Sequence, residues 1–140
     1  MNKTIIAQSA QDMEEIGIEL AAILEDGMVV SLIGPLGAGK TTLSKGLAKG
    51  LLITDVVVSP SYMIARTYQG RMAMHHIDAY RVSSLDELLE VGLDDFLPPE
   101  TGISVVEWPD RIEGLIEISH IQVSIELLDN GHRQVQLIRR

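Results

Sequence analysis

The sequence predicts an α/β fold built around one mixed sheet, and three patterns carry that expectation. Residues 28–33 (MVVSLI) and 103–106 (ISVV) are short, nearly all-apolar runs rich in β-branched residues, the composition of parallel strands buried on both faces. Between the first run and a segment in which Leu43, Leu47 and Leu51 return every four residues lies Gly34-Pro35-Leu36-Gly37-Ala38-Gly39-Lys40-Thr41. This is a strand, a glycine loop of the form G-x-x-x-x-G-K-[ST], and a helix with one apolar stripe. Toward the C-terminus the pattern changes to strict alternation around a turn, as in an antiparallel hairpin. Strands that alternate with helices early and pair as hairpins late give a P-loop NTPase-like three-layer sandwich. Its mixed sheet is parallel around the loop and antiparallel toward the edges, with helices on both faces.

The elements follow in order. Residues 3–7 read as a first strand. Ser9 suits the N-cap of a helix that carries Met13, Ile16, Leu20, Ile23 and Leu24 on its apolar face, runs to about Asp26 and is ended by Gly27. Beyond the phosphate-loop helix, Val56-Val57-Val58 leads to Ser59-Pro60-Ser61. Residues 62–68 and 72–77 then flank Gln69-Gly70 as a hairpin. Ser84-Leu85-Asp86-Glu87 is a capping box that starts another helix, closed by Gly92. Pro98-Pro99 marks a loop before the second buried strand. Ile121, Val123, Ile125 and Leu127 share one face of a later strand, and Asn130-Gly131 is a two-residue turn before Val135 and Leu137. No internal repeat, linker or low-complexity tract interrupts the chain.

At 140 residues the chain is expected to be one domain, residues 1–140, with little room for a second substrate-binding unit. A formal charge of −9 without any Lys/Arg-rich run argues against tight nucleic-acid binding by this chain alone, because phosphate neutralisation dominates such affinity. Any nucleic acid is expected to be held by a partner. With no cysteine there are no disulfides and no thiolate-bound metal. Neither a signal-peptide pattern nor a membrane-spanning run is visible, and the expected location is the cytoplasm.

The glycine loop points to phosphate chemistry. Its backbone N–H groups can turn inward around phosphate oxygens, and the helix behind it adds the positive end of its dipole. Lys40 would reach the β- and γ-phosphates, and the Thr41 hydroxyl would hold Mg²⁺. Hydrolysis also needs carboxylates at the ends of buried strands, and two qualify. Glu107 follows the apolar run 103–106, while Asp78 follows Ile77 on a more polar strand. Spacing favours Glu107 for the metal shell and leaves Asp78 either outside it or activating water. His75 and His76 must face opposite ways on a strand, so they cannot form one metal site. Trp108 reads as packing, Arg81 and Arg111 as possible charge stabilisers, and Arg133 by default as solvent-facing.

Four blocks in order, GPLGAGKTT at 34–42, SPSY at 59–62, HIDAYR at 76–81 and VEW at 106–108, resemble the TsaE (YjeE) family. An E-L-x-x-x-G helix end at 87–92 extends the match to most of the chain. The resemblance implies an ATP-dependent, Mg²⁺-requiring partner of the TsaB–TsaD transferase. The charge of −9, the short chain and the lack of an assignable arginine finger lead to the expectation that it is slow alone and stimulated by that pair. The product is threonylcarbamoyladenosine next to the anticodon of tRNA, with tRNA met only through the complex. It also implies roles for residues. Gly34, Leu36, Gly37, Ala38, Gly39, Lys40, Thr41 and Thr42 bind the nucleotide, and Thr41 and Glu107 hold Mg²⁺. Lys40, Asp78 and Glu107 form the hydrolysis site, with Trp108 beside it and Ser61 as a switch-like hydroxyl. Ser9, Ala10 and Arg133 border the adenine. Two positions depart from the family pattern. Ser61 replaces threonine, and Pro35 replaces an acid, removing a backbone donor and a charge beside the phosphates.

Two other readings stay open on residues alone. A small-molecule P-loop kinase would bring an arginine-bearing lid, and no arginine cluster is found. A regulatory GTPase would carry an Asn-Lys-x-Asp base reader and an Asp-x-x-Gly switch, and neither occurs.

Overall fold

The two apolar runs pair with each other at the middle of the sheet, since nothing polar along them asks for solvent. In the computed structural model, which describes residues 2–58 and 64–140, β2 (Val29–Ile33) lies parallel to β5 (Ile103–Glu107) in the register Val29↔Ser104 to Leu32↔Glu107. On its other side β2 pairs in parallel with β6 (Ile121–Leu127), and β5 pairs in parallel with β4 (Met74–Asp78). Three antiparallel pairings complete the edges. They join β3 (Ala65–Tyr68) to β4, β7 (Arg133–Arg139) to β6, and β1 (Asn2–Ala7) to β7. Among the described residues the seven strands run β1-β7-β6-β2-β5-β4-β3. The sheet is parallel around the glycine loop and antiparallel outside, as the sequence predicts.

One face is covered by α1 (Ala10–Ala21) and α2 (Lys40–Gly50). Leu43, Leu47 and Leu51 of the predicted stripe are fully buried there, with Val30, Leu32, Val105 and Val123 of the sheet. Each such side chain contributes about 1.5–3 kcal/mol by leaving water. The two helices cross on glycine. A Cβ on Gly46 would stand 2.0 Å from the Glu14 carbonyl oxygen, and one on Gly17 would stand 2.2 Å from that of Leu43. Arg71, from the β3–β4 loop, locks the far end by donating to the carbonyls of Ala21 (2.8 Å) and Gly50 (3.4 Å), where helix C-termini favour a cation.

The reverse face is closed by shorter pieces. These are α3 (Leu85–Glu90) and single 3₁₀ turns at Leu93–Asp95, Pro109–Arg111 and Ile116–Ile118. They bury Leu88, Leu93, Ile112 and Leu115 against Val29, Ile77 and Val106. Ser84 caps α3 through Glu87 N at 3.1 Å, and Gly92 closes it at φ 86°.

Several local expectations change. The first helix stops at Ala21 and not near Asp26, because the Asp26 carboxylate and the Gly27 N–H are both committed to Gly102, at 2.7 and 2.8 Å. Residues 22–24 take a tightened i→i−3 turn that still buries Leu24. Leu127 is 45% exposed and lies outside the core cluster that holds Ile121, Val123 and Ile125. The C-terminal hairpin is wider than a two-residue turn. Leu128 N–H donates to His132 O and Gly131 N–H to Leu128 O, with Gly131 at φ 85°. Asn130 does not adopt the positive φ that the tighter turn needs, and its side chain instead accepts from His132 N–H at 3.0 Å. The β3–β4 loop likewise extends beyond Gln69-Gly70 to residue 73, drawn back by the Arg71 N–H bond to Leu51 O. Tyr62 of that hairpin, and the 59–62 block, lie outside the described residues.

Candidate functional site

β2, β5 and β4 end level with one another, so whatever follows or terminates them gathers at one edge of the sheet. Ligands of open α/β sheets collect beyond the carboxyl ends of parallel strands. After β2 the chain turns through the glycine loop. Gly37 and Gly39 hold φ 79° and 104°, conformations closed to most side chains, and a Cβ on Gly34 would meet Ile125 O at 2.9 Å. Ala38 N–H donates to Pro35 O at 3.1 Å, so the proline carbonyl closes the loop although its nitrogen cannot donate. Helix α2 then begins at Lys40 with no side-chain cap, unlike α1 and α3, whose first turns are satisfied by Ser9 and Ser84. Its first-turn N–H groups are left for a ligand.

A cleft of about 470 Å³ opens here, lined by Leu36, Gly37, Gly39, Lys40, Thr41, Thr42, Glu107, Trp108 and Arg133. Gly34 lies beneath it, its carbonyl accepting from Lys40 Nζ at 2.7 Å, and Ala38 is buried. Lys40 is itself buried, with Nζ 3.2 Å from the centroid of the Trp108 ring. Burial pushes its ammonium below the usual lysine range, opposed by Glu107, Asp110 and Asp78. Arg133 donates to Gly37 O at 3.2 Å and so braces the loop from β7.

Asp78 and Glu107 are directly paired across β4 and β5, and both are buried. Asp78 Oδ1 accepts from Tyr80 N–H at 2.8 Å. It lines a second cleft of about 270 Å³ with Leu36, Tyr80, Arg81 and Trp108. Leu36 and Trp108 border both clefts and therefore form the partition between them. Trp108 is held at φ 59°, ψ 42°, a left-handed conformation that costs about 1–2 kcal/mol in a residue other than glycine. The proline that follows disfavours the right-handed helical alternative. Tyr80 packs edge-on against its ring at 5.1 Å, and the Arg111 guanidinium lies 4.4 Å from the Tyr80 ring centroid.

Ser9 and Ala10 are exposed at the start of α1 and do not line either cleft, whereas Met13, one turn on, packs against Gly39. Ser61 lies outside the described residues. His75 and His76 point to opposite faces. His75 stacks on Phe96, and His76 Nε2 lies 2.5 Å from Glu107 Oε2. No feature of the linear sequence marked that last pair, since it depends on the register of β4 against β5.

These residues suit a magnesium nucleotide. The helix N-terminus, the loop amides and Lys40 answer phosphate charge. Thr41 stands on the first turn of α2, and the Glu107 carboxylate lies across the same cleft. No group of three or more His, Cys, Asp or Glu positioned for a metal occurs among the described residues.

Fold and site together define a P-loop protein of the nucleotide-binding α/β class. A family model described as "Threonylcarbamoyl adenosine biosynthesis protein TsaE" matches residues 7–135, and the chain belongs to that family. A Treponema pallidum protein named tRNA threonylcarbamoyladenosine biosynthesis protein TsaE is 35% identical over 130 residues, 93% of this chain and 96% of its own. The Aquifex aeolicus protein of the same name is 34% identical over 141 residues, covering 99% and 97%. The crystal structure of Bacillus subtilis YdiB superposes with a TM-score of 0.82 at 28% identity, covering 99% of this chain and 86% of that one. No helix among the described residues is long and apolar enough to cross a membrane.

Proposed function

We propose that residues 1–140 form a single P-loop ATPase domain that binds and hydrolyses Mg²⁺-ATP as an accessory of the TsaB–TsaD transferase. Its task is the threonylcarbamoyladenosine modification of tRNA beside the anticodon, in the cytoplasm. The observation that carries the reading is the meeting of an uncapped α2 N-terminus and its glycine loop with two register-paired carboxylates, Asp78 and Glu107. Family membership and the names of the relatives supply the pathway.

Each residue then has a task. The amides of the loop and of the first turn of α2 receive the phosphates. Lys40 leaves the Gly34 carbonyl and the Trp108 ring to reach the β- and γ-phosphate oxygens. Thr41 and Glu107 hold the cation, which when bound neutralises charge that builds on the phosphates. Asp78 accepts a hydrogen bond, or a proton, from the attacking water, and its backbone-fixed Oδ1 restricts how it can turn. Arg133 and the start of α1, with Ser9 and Ala10, border the adenine side. Arg133 lines the phosphate cleft and Arg81 the cleft beside Asp78, and on this reading turnover is slow until the partner surface docks and completes the geometry around the γ-phosphate. The charge of −9 leaves tRNA to the partners.

Thermal unfolding with and without Mg²⁺-ATP tests the binding half. The nucleotide should raise the melting temperature, by about 2.7 kcal/mol of stabilisation at a hundredfold excess over Kd, and Lys40→Ala should abolish the rise. Phosphate release with and without TsaB–TsaD tests the rest. Stimulation is expected from the pair, and transfer to a small-molecule acceptor instead would install the kinase reading.

A further inference from the structure

His76 is wholly buried on β4, on the same face as Asp78 and Glu107, and stands diagonal to Glu107 because its own register partner is Val105. Glu107 Oε2 lies 2.5 Å from His76 Nε2, and a carboxylate oxygen there can only accept, so Nε2 carries the hydrogen. The other ring nitrogen, Nδ1, is buried with no hydrogen-bond partner among the described residues. An imidazole in this position leaves one polar atom unsatisfied, and core packing alone would be better served by leucine or methionine. Its single polar engagement is with the carboxylate that faces the phosphate cleft.

Glu107 needs such an anchor. It sits directly opposite Asp78, a like-charge pairing that pushes the two carboxylates apart. With no fixed donor on Glu107 the carboxylate would turn toward whichever cation came near, including the Lys40 ammonium that the phosphates need.

We infer that His76 is a positioning residue. By holding Oε2 through Nε2–H, it fixes the rotation of the Glu107 carboxylate and leaves Oε1 as the oxygen that serves the cation in the cleft. The inference rests on the Mg²⁺-ATP function proposed above. Partners that orient a ligating group typically govern metal affinity by about 10–100-fold, without touching the metal themselves.

The test is the Mg²⁺ concentration that gives the half-maximal thermal shift with a non-hydrolysable ATP analogue, a readout independent of turnover. His76→Leu keeps apolar volume but loses the donor, and should raise that concentration about tenfold or more. Binding of the analogue without Mg²⁺ should be unchanged. His76→Gln places an amide nitrogen near the reach of Nε2 and should restore the wild-type requirement. In a Glu107→Gln background the leucine substitution should add nothing, because the group it positions is gone. If His76→Leu does not fold, His76→Asn, whose amide falls short of Glu107, should show the same raised requirement. A wild-type Mg²⁺ requirement in the leucine or asparagine variant overturns the inference and leaves the ATPase standing. Equal loss in the glutamine and leucine variants also overturns it, since ring shape and not the donor would then matter. Absence of any Mg²⁺-nucleotide shift in the wild-type protein overturns both proposals.

Discussion

On the α1/α2 side of the sheet, β4 and β5 present His76, Asp78 and Glu107. On the reverse the same two strands present His75, Ile77, Ser104 and Val106. On the reverse side the polar side chains of these two strands are satisfied by their neighbours. His75 stacks on Phe96 at 4.2 Å, shares a hydrogen bond with Thr67 Oγ1 at 2.9 Å and meets Thr101 O at 3.3 Å, while Ser104 donates to Phe96 O. The site side keeps capacity in reserve. His76 Nδ1 is unpartnered among the described residues, and the Lys40 ammonium rests on an aromatic ring. Two histidines adjacent in sequence thus do different work, because strand alternation sends one to scaffolding and the other to chemistry. Burial alone does not separate them; how fully their neighbours satisfy them does.

The contrast can be broken from either side, and the largest effect is expected at the carboxylates. Glu107→Ala and Asp78→Ala should each lower partner-stimulated turnover by about 10²-fold or more, while nucleotide binding falls much less. Single-turnover phosphate release alongside analogue binding separates the two. Wild-type turnover in either variant would remove that residue from the site. Next in size, Ile77→Ala should cost about 2–5 kcal/mol in denaturant unfolding, since it empties a fully buried position on the reverse face. The Mg²⁺-ATP stabilisation should survive in it, and its loss would show that the two faces are not separable.

A smaller effect sharpens the histidine comparison. Burial lowers the affinity of His75 for a proton from its ordinary value of about 6.5, the Thr101 carbonyl working in the opposite sense. The unfolded chain then binds the proton more readily, so this contribution is complete above about pH 6.5 and is lost as pH falls through the lower folded value. His75→Leu should flatten the decline in stability between about pH 7 and 5 relative to wild type, and an unchanged slope would reject that assignment. The smallest expected signal is optical. Trp108 is the chain's one tryptophan, and Lys40 lies on its ring. Nucleotide that draws Lys40 away should change its emission, and Lys40→Met should show no such change.

Much of this was legible in the sequence because it depends on short-range spacing. Loop glycines, the Leu43, Leu47 and Leu51 stripe, the Ser9 and Ser84 caps and the buried runs each fix a local geometry that needs no tertiary partner to be read. The C-terminal turn widened through the local bond between Asn130 and His132, but the other misses needed tertiary context. Gly102 ended the first helix, Leu51 and Arg71 widened one hairpin loop, and the end of the core cluster left Leu127 exposed. The site divides the same way. Lys40, Thr41, Asp78 and Glu107 stand out by motif, but the bond from His76 to Glu107 and the brace from Arg133 to Gly37 depend on strand register and sheet order.

The glycine crossing of α1 and α2 has a mechanical consequence. With backbone pressed on backbone at Gly17 and Gly46, and Met13 seated on Gly39, the two helices and the phosphate loop between them form one solid block. A glycine contact has no side chains to slide or re-pack, so the backbone of this jaw is braced against itself. The opposing jaw is held differently, by side chains, with Trp108 in a costly backbone state and Tyr80 half in solvent. The cleft therefore lies between one plate braced backbone to backbone and another braced by side chains, and under the function proposed above any nucleotide-dependent movement is expected on the second.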